Sequence, residues 1–165
     1  FVLTDEHKQD VTDMIISDEY FSLMFVAYDL EKVPEEAIAK LQMINDVAQS
    51  KGYNTFIVTA SNIDQAREFE RSNSISATFY FADPITLKTI VRSNPGLVLL
   101  HNGQILNKWH YNDFPGENQL TEYELFKSHL DTKSSIIIRL LFGFMVFWVA
   151  IVLLFEVFAL KSRFS

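Results

Sequence analysis

The chain has 165 residues, 48% of them hydrophobic, and a formal net charge of −7; that length suits one compact domain plus a short extra element. It contains no cysteine, which excludes a disulfide framework, a thiolate nucleophile and any cysteine-based zinc or iron–sulfur site. The acidic balance repels phosphate backbones and argues against a nucleic-acid partner.

In chain order, residues 1–20 are polar apart from residues 11–16 and predict a lead-in strand or turn, then a short helix. Residues 20–28, YFSLMFVAY, form a continuous apolar run whose length fits a strand covered on both faces. A helix follows. Pro34 stands where a first turn accepts it, and Glu35 and Glu36 lie at the positive helix end. Ala37, Ile38, Leu41, Ile44, Val47 and Ala48 make one stripe, and Gly52 supplies the stop. Residues 55–60 read as the next buried strand. Ser61 and Asp64 read as an S-x-x-D start signal for a helix through about residue 71, with Ile63, Ala66 and Phe69 facing inward.

ATFYFA, residues 77–82, is a third strand. Asp83 caps and Pro84 opens a short helix lined by Leu87, Ile90 and Val91. Residues 97–100 form a strand, Asn102 and Gly103 a two-residue hairpin signal, and residues 105–109 the returning strand. After the loop YNDFPGENQ, Thr121 and Glu124 form a capping box for a last amphipathic helix carrying Leu125, Phe126 and Leu130. Strand–helix alternation ending in a hairpin and a helix argues for an α/β fold with a mixed sheet flanked by helices.

Apolar residues concentrate at the C-terminus. Residues 136–160, a 25-residue stretch, would span about 37 Å as a helix, against a hydrocarbon core of about 30 Å. This predicts one transmembrane helix; a buried core helix is the alternative. The division expected is a soluble domain at residues 1–132 and, at 133–165, the span with a short basic tail. The first part sums to −10 and the second to +3. Lys161 and Arg163 follow the span, while Lys133 and Arg139 precede it, so the basic residues nearly tie. The expectation leans towards a cytoplasmic tail and an outside domain. Trp148 near mid-span hints at packing against another transmembrane subunit, with lipid contact as the default. The first residue is Phe1, and no signal peptide is visible; a fragment of a longer protein is expected.

The element order, with Pro95 just before the penultimate strand, resembles the thioredoxin fold. In that fold the corresponding proline is cis and its loop faces the active site; an ordinary trans turn is the alternative here. FVAYDLEK and ITLKTIVRSNPGLVLLHNGQILNKWHYNDFP resemble, more closely, the soluble thioredoxin-like region of bacterial DoxX-family membrane proteins. That similarity covers about residues 10–130. The family's membrane bundle has no counterpart in this chain. By the resemblance, Asp29, Leu30, Glu31 and Lys32 occupy the place of the catalytic dithiol. Exchange requires a thiolate as attacking species, so dithiol–disulfide chemistry is excluded in this chain.

Other chemistry is weakly signalled. His7, His101, His110 and His129 lack metal-ligand spacing; His101 reads as solvated at a hairpin turn, and His110 either faces the Pro95 loop or ends a strand. Asp29, Glu31, Glu35 and Glu36 could act as acid and base if burial separated their pKa values, but acidic residues at a helix start usually partner its dipole. Ser93 has no local base. No catalytic residue, metal or cofactor is expected. The remaining candidate is a surface around Asn94 and Pro95, where Trp109, Tyr111 and Phe114, with Tyr28, form an aromatic patch for an extended peptide; Trp109 and Phe114 as core residues are the alternative.

The expected function is therefore a redox-inactive, membrane-anchored thioredoxin-like domain. It would act as an interaction or assembly subunit of a complex in the bacterial inner membrane, with its soluble domain in the periplasm. The alternative is an accessory part of a DoxX-like redox system whose chemistry lies in a missing bundle or partner chain.

Overall fold

A computed structural model of the chain describes residues 2–121 and four positions beyond them, Phe142, Phe144, Met145 and Trp148. The run at residues 20–28 yields β1 (Ser22–Ala27), and all six of its residues are buried. A strand that is apolar on both faces belongs in the middle of a sheet, and β1 is there. With β2 (Asn54–Thr59), β3 (Thr78–Phe81), β4 (Gly96–His101) and β5 (Gln104–His110), the order is β3-β2-β1-β4-β5. β1, β2 and β3 run parallel, with Phe25 opposite Ile57 and Val58 opposite Tyr80. β4 runs antiparallel to β1, and β5 antiparallel to β4, placing Phe25, Leu97 and Trp109 in one row across the sheet.

Strand alternation sends side chains to two separate cores. On one face Leu23, Phe25, Ile57, Leu97 and Leu99 pack with Leu41 and Ile44 of α2 (Glu35–Ser50) and Phe69 of α3 (Ile63–Asn73). On the other, Met24, Val26, Val58 and Val98 pack with Leu87 of α4 (Pro84–Ile90) and Ile15 of α1 (Thr12–Ile16). The predicted stripe of α2 is buried at Ala37, Leu41, Ile44 and Ala48, joined by Asn45. Ile38 and Val47 pack against the same core partly buried.

Two start signals shift by one residue. Pro34 is the extended residue before α2 rather than its first helical residue. The cap of α3 is Asn62, not Ser61: Asn62 Oδ1 accepts the Gln65 N–H at 2.9 Å and Gln65 Oε1 accepts the Asn62 N–H at 2.9 Å. In SNIDQ both S-x-x-D and N-x-x-Q are present, and the reciprocal pair satisfies two orphan donors at once. Asp83 does cap α4, its carboxylate accepting the Thr86 N–H at 2.8 Å.

The hairpin turn forms at Asn102 (φ 48°) and Gly103 (φ 68°), both in the left-handed region such a turn requires. A Cβ at Gly103 would stand 2.5 Å from the Ile16 side chain and 2.9 Å from the Ile16 carbonyl oxygen. The lead-in chain reaches the far edge of the sheet: Thr4 and Phe81 exchange backbone hydrogen bonds of 2.9 and 2.8 Å.

The contacts divide the chain into two units, Phe1–Leu125 and Phe126–Ser165. The last predicted soluble helix, from residue 122 on, lies outside the described residues. So does the predicted span at 136–160, except for Phe142, Phe144, Met145 and Trp148, which are helical and exposed. No helix among the described residues is long and apolar enough to cross a membrane.

Candidate functional site

The antiparallel register sets Val26 opposite Gly96, so the segments just beyond them meet at one end of the sheet. One segment is Tyr28 to Lys32, leaving β1. The other is the loop between α4 and β4, where the Asn94–Pro95 peptide bond is cis.

The two segments are joined by a reciprocal pair. The Asp29 N–H donates to Asn94 Oδ1 at 3.2 Å, and Asn94 Nδ2 donates to the Asp29 carbonyl at 2.7 Å. One side-chain amide thus satisfies both backbone groups of Asp29. Leu30–Lys32 then forms a 3-10 turn. Leu30 is 3% exposed and packs in the α2 core, and its N–H donates to Ser61 Oγ at 3.0 Å. That bond is what Ser61 does in place of capping α3. Glu31 is exposed and accepts from Gln65 Nε2 at 2.7 Å, tying the turn to α3. Lys32 Nζ lies 2.6 Å from Asp29 Oδ2, and this hydrogen bond and the Asp29 charge hold the ammonium above the usual lysine range.

Asp29, Leu30, Glu31 and Lys32, the predicted dithiol position, therefore each have a structural partner. The carboxylates do not form an acid–base pair: Asp29 is matched by Lys32, Glu31 by Gln65, and Glu35 and Glu36 are exposed in the first turn of α2. Ser93 is buried and has no histidine or carboxylate hydrogen-bonded to it among the described residues. Among the described residues no group of three or more metal-ligating side chains is assembled.

The predicted aromatic patch is not one surface. Phe114 is 9% exposed and meets Phe25 edge-on, with ring centroids 6.0 Å apart; it is core. Trp109, opposite Leu97, is half-buried on the α2 face. Tyr111 is half-buried on that face too, where its carbonyl accepts from Lys40 Nζ at 3.1 Å. Tyr28 packs on the opposite face, with Lys88 Nζ 5.1 Å from its ring centroid. Alternation along β1 and β5 makes this division. Pro95 is itself buried and Asn94 half-buried, so the exposed rim of the site is Glu31, Lys32 and Arg92.

His101 is half-buried rather than fully solvated at its turn, and its ring stacks on Phe21 with centroids 4.7 Å apart. His110 ends β5, and its Nδ1 accepts the Asn112 N–H at 3.2 Å.

No protein-family profile and no curated protein matches the chain. Solved structures do. StoA from Bacillus subtilis is 14% identical with a TM-score of 0.51, over 73% of this chain and 92% of that one. A secreted disulfide oxidoreductase of Mycobacterium tuberculosis is 10% identical with a TM-score of 0.51, over 79% and 95%. BsSco, a member of the Sco family of cytochrome c oxidase assembly proteins, is 9% identical with a TM-score of 0.56, over 78% and 90%. With its mixed sheet and flanking helices, the described domain is a thioredoxin-like fold, and the chain carries no cysteine.

Proposed function

We propose that the chain is a redox-inactive thioredoxin-like domain, held at a bacterial inner membrane by the 136–160 segment. It serves there as an interaction or assembly subunit of an envelope membrane complex, with the domain on the periplasmic side. The observation that carries this reading is the Asp29–Asn94 pair. At the place that the resemblance gives to a dithiol, the chain has a closed hydrogen-bonded junction between its two loops. A junction of that kind holds a surface in shape and leaves no nucleophile.

Three further points support the reading. The apolar stretch at 136–160 is long enough to span a bilayer. Residues 85–115 resemble the soluble region of DoxX-family membrane proteins. BsSco sets an assembly protein on the same fold. The partner proposed is another transmembrane subunit, contacted through the rim of Glu31, Lys32 and Arg92 around the junction, where an extended peptide could also lie.

The test is purification of the full chain from its native membrane in mild detergent. A transmembrane subunit should accompany it in fixed ratio. A chain that emerges alone contradicts the proposal. A quinone- or thiol-linked activity retained by the isolated chain contradicts it too, in favour of a redox role.

A further inference from the structure

β3 is the outermost strand on its side of the sheet. In a parallel ladder, alternate residues direct both backbone groups to the neighbouring strand, and the residues between them direct both groups away. Phe81 gives its N–H and carbonyl to Thr4, outward, while the Ala82 N–H returns to the Thr59 carbonyl of β2 at 3.0 Å. Phe79 therefore points its N–H and carbonyl to the open side, and Ala77, just before β3, points its carbonyl there, because the Thr78 N–H of the same peptide turns to β2. Among the described residues neither has a backbone partner there.

The lead-in chain covers this edge at one residue and then leaves it. Continued antiparallel pairing from Thr4–Phe81 would set Glu6 opposite Phe79. Instead Asp5 starts a turn, its carboxylate accepting the His7 and Gln9 N–H groups at 2.8 Å each, with Lys8 at φ 63°. The edge at residues 77–79 stays open, as an edge that can template another strand.

The sheet is hollow on both faces beside this edge. On the α1 face a cavity of about 350 Å³ is lined by Met14, Asp18, Asn54, Thr55, Thr78 and Tyr80, and Asp18 is the one charged residue lining it. The Asp18 carboxylate accepts from the Tyr20 N–H at 3.0 Å, from Ser22 Oγ at 2.9 Å and from Asn54 Nδ2. A carboxylate has about four acceptor positions, so one is left for a cation. On the α3 face a cavity of about 360 Å³ is lined by Ile63, Ala66, Phe79 and Phe81, and the lead-in turn closes one side of it through Glu6, which pairs with Arg67 at 3.4 Å. Thr78 borders both hollows.

An added strand lies about 4.8 Å from the edge and sends successive side chains to opposite faces. We propose that the β3 edge at residues 77–79 takes an extended segment of a partner polypeptide as a sixth strand, with a basic side chain in the Asp18 hollow and an aliphatic one in the Ile63–Phe81 hollow. The main-chain bonds supply affinity and the two hollows select the alternation. Charge complementarity to Asp18 favours a partner over a second copy of this chain, whose own β3 offers Thr78 and Tyr80 to that face. The site lies apart from the Asp29–Asn94 junction, so its failure would leave the function proposed above standing.

The test uses the full chain in detergent and a capped eight-residue peptide of alternating lysine and leucine. Its controls are the same composition in two blocks and a fully N-methylated form. The alternating peptide should shift the amide resonances of Ala77 and Phe79. Both controls should bind at least tenfold more weakly. Phe79→Pro removes the outward N–H while sparing the groups bonded to β2 and should weaken binding about fivefold, as should Asp18→Asn. Equal binding of the three peptides overturns the proposal and shows attraction to an acidic surface alone. Unchanged binding by a folded Phe79→Pro chain also overturns it. Amide shifts at Ala77 and Phe79 that follow protein concentration without peptide overturn it in favour of a second copy. If either variant fails to fold, the N-methylated peptide on the unaltered chain decides.

Discussion

Asn94 and Asp29 lie 65 residues apart in the chain and exchange two hydrogen bonds across one end of the sheet. The pair joins the loop carrying the cis proline to the loop predicted to hold the dithiol position. Asn94→Ala leaves the Asp29 N–H without a partner in a partly buried place and the Asp29 carbonyl with only the Lys32 N–H at 3.3 Å, which should cost about 1–3 kcal/mol, read by denaturant unfolding. Asn94→Asp keeps an acceptor for the N–H but sets a carboxylate against the Asp29 carbonyl. It should destabilise at neutral pH and recover in acid, where the protonated group can donate.

Ser61 and Asn62 are neighbours with separable roles. Asn62→Ala removes the α3 cap and should cost about 1 kcal/mol, with loss of helical signal at the start of α3. Ser61→Ala orphans the Leu30 N–H and should cost about as much. Its spectral changes should fall on residues 29–32 and leave the helix intact. Amide chemical shifts of the two variants distinguish these outcomes.

Asp18 links β1 to β2 through Ser22 and Asn54, and its carbonyl accepts the Asn102 N–H of the hairpin turn at 3.2 Å. Burial pushes its carboxyl up, but the Tyr20 N–H, the Asn54 and Ser22 side chains and nearby His101 together hold it below the usual aspartate range. A depressed folded pKa stabilises the fold above the unfolded value of about 3.9 and ceases to do so as pH falls through the folded value. Asp18→Ala should therefore be less stable than the parent by about 1–2 kcal/mol near neutrality. The gap should close below about pH 4, as measured by urea unfolding across pH.

Phe114 and Tyr111 read alike in sequence and differ in place. Phe114→Ala should cost about 3–5 kcal/mol as a cavity beside Phe25. Tyr111→Ala should cost about 1 kcal/mol or less. Thermal unfolding of both variants checks the contrast.

Local signals were readable wherever one residue type admits one geometry. Asp83 before Pro84, Gly103 at a positive φ and the unbroken apolar run of β1 each point to one structure, and together they give the mixed sheet. Readings failed where the deciding contact is distant in sequence. Ser61 looked like a cap because its true partner, Leu30, is supplied by another loop. Trp109, Tyr111, Phe114 and Tyr28 are all aromatic, and only strand register sorts them between the two faces. His101 lies next to its turn, yet its stacking on Phe21 depends on β1 pairing with β4. The Asp29–Asn94 junction was visible only as two separate loops. ATFYFA does not announce that its strand is an edge, because edge position follows from topology.

In the function proposed above, the junction shapes a surface for a membrane partner rather than a redox centre. The most direct measurement compares the unaltered chain with Asn94→Ala, both extracted from native membranes, with circular dichroism confirming a folded domain in each. A transmembrane subunit should accompany the unaltered chain in fixed ratio and be lost, or reduced at least fivefold, with Asn94→Ala. Recovery of the unaltered chain alone, or equal retention of the subunit by the folded variant, would contradict it.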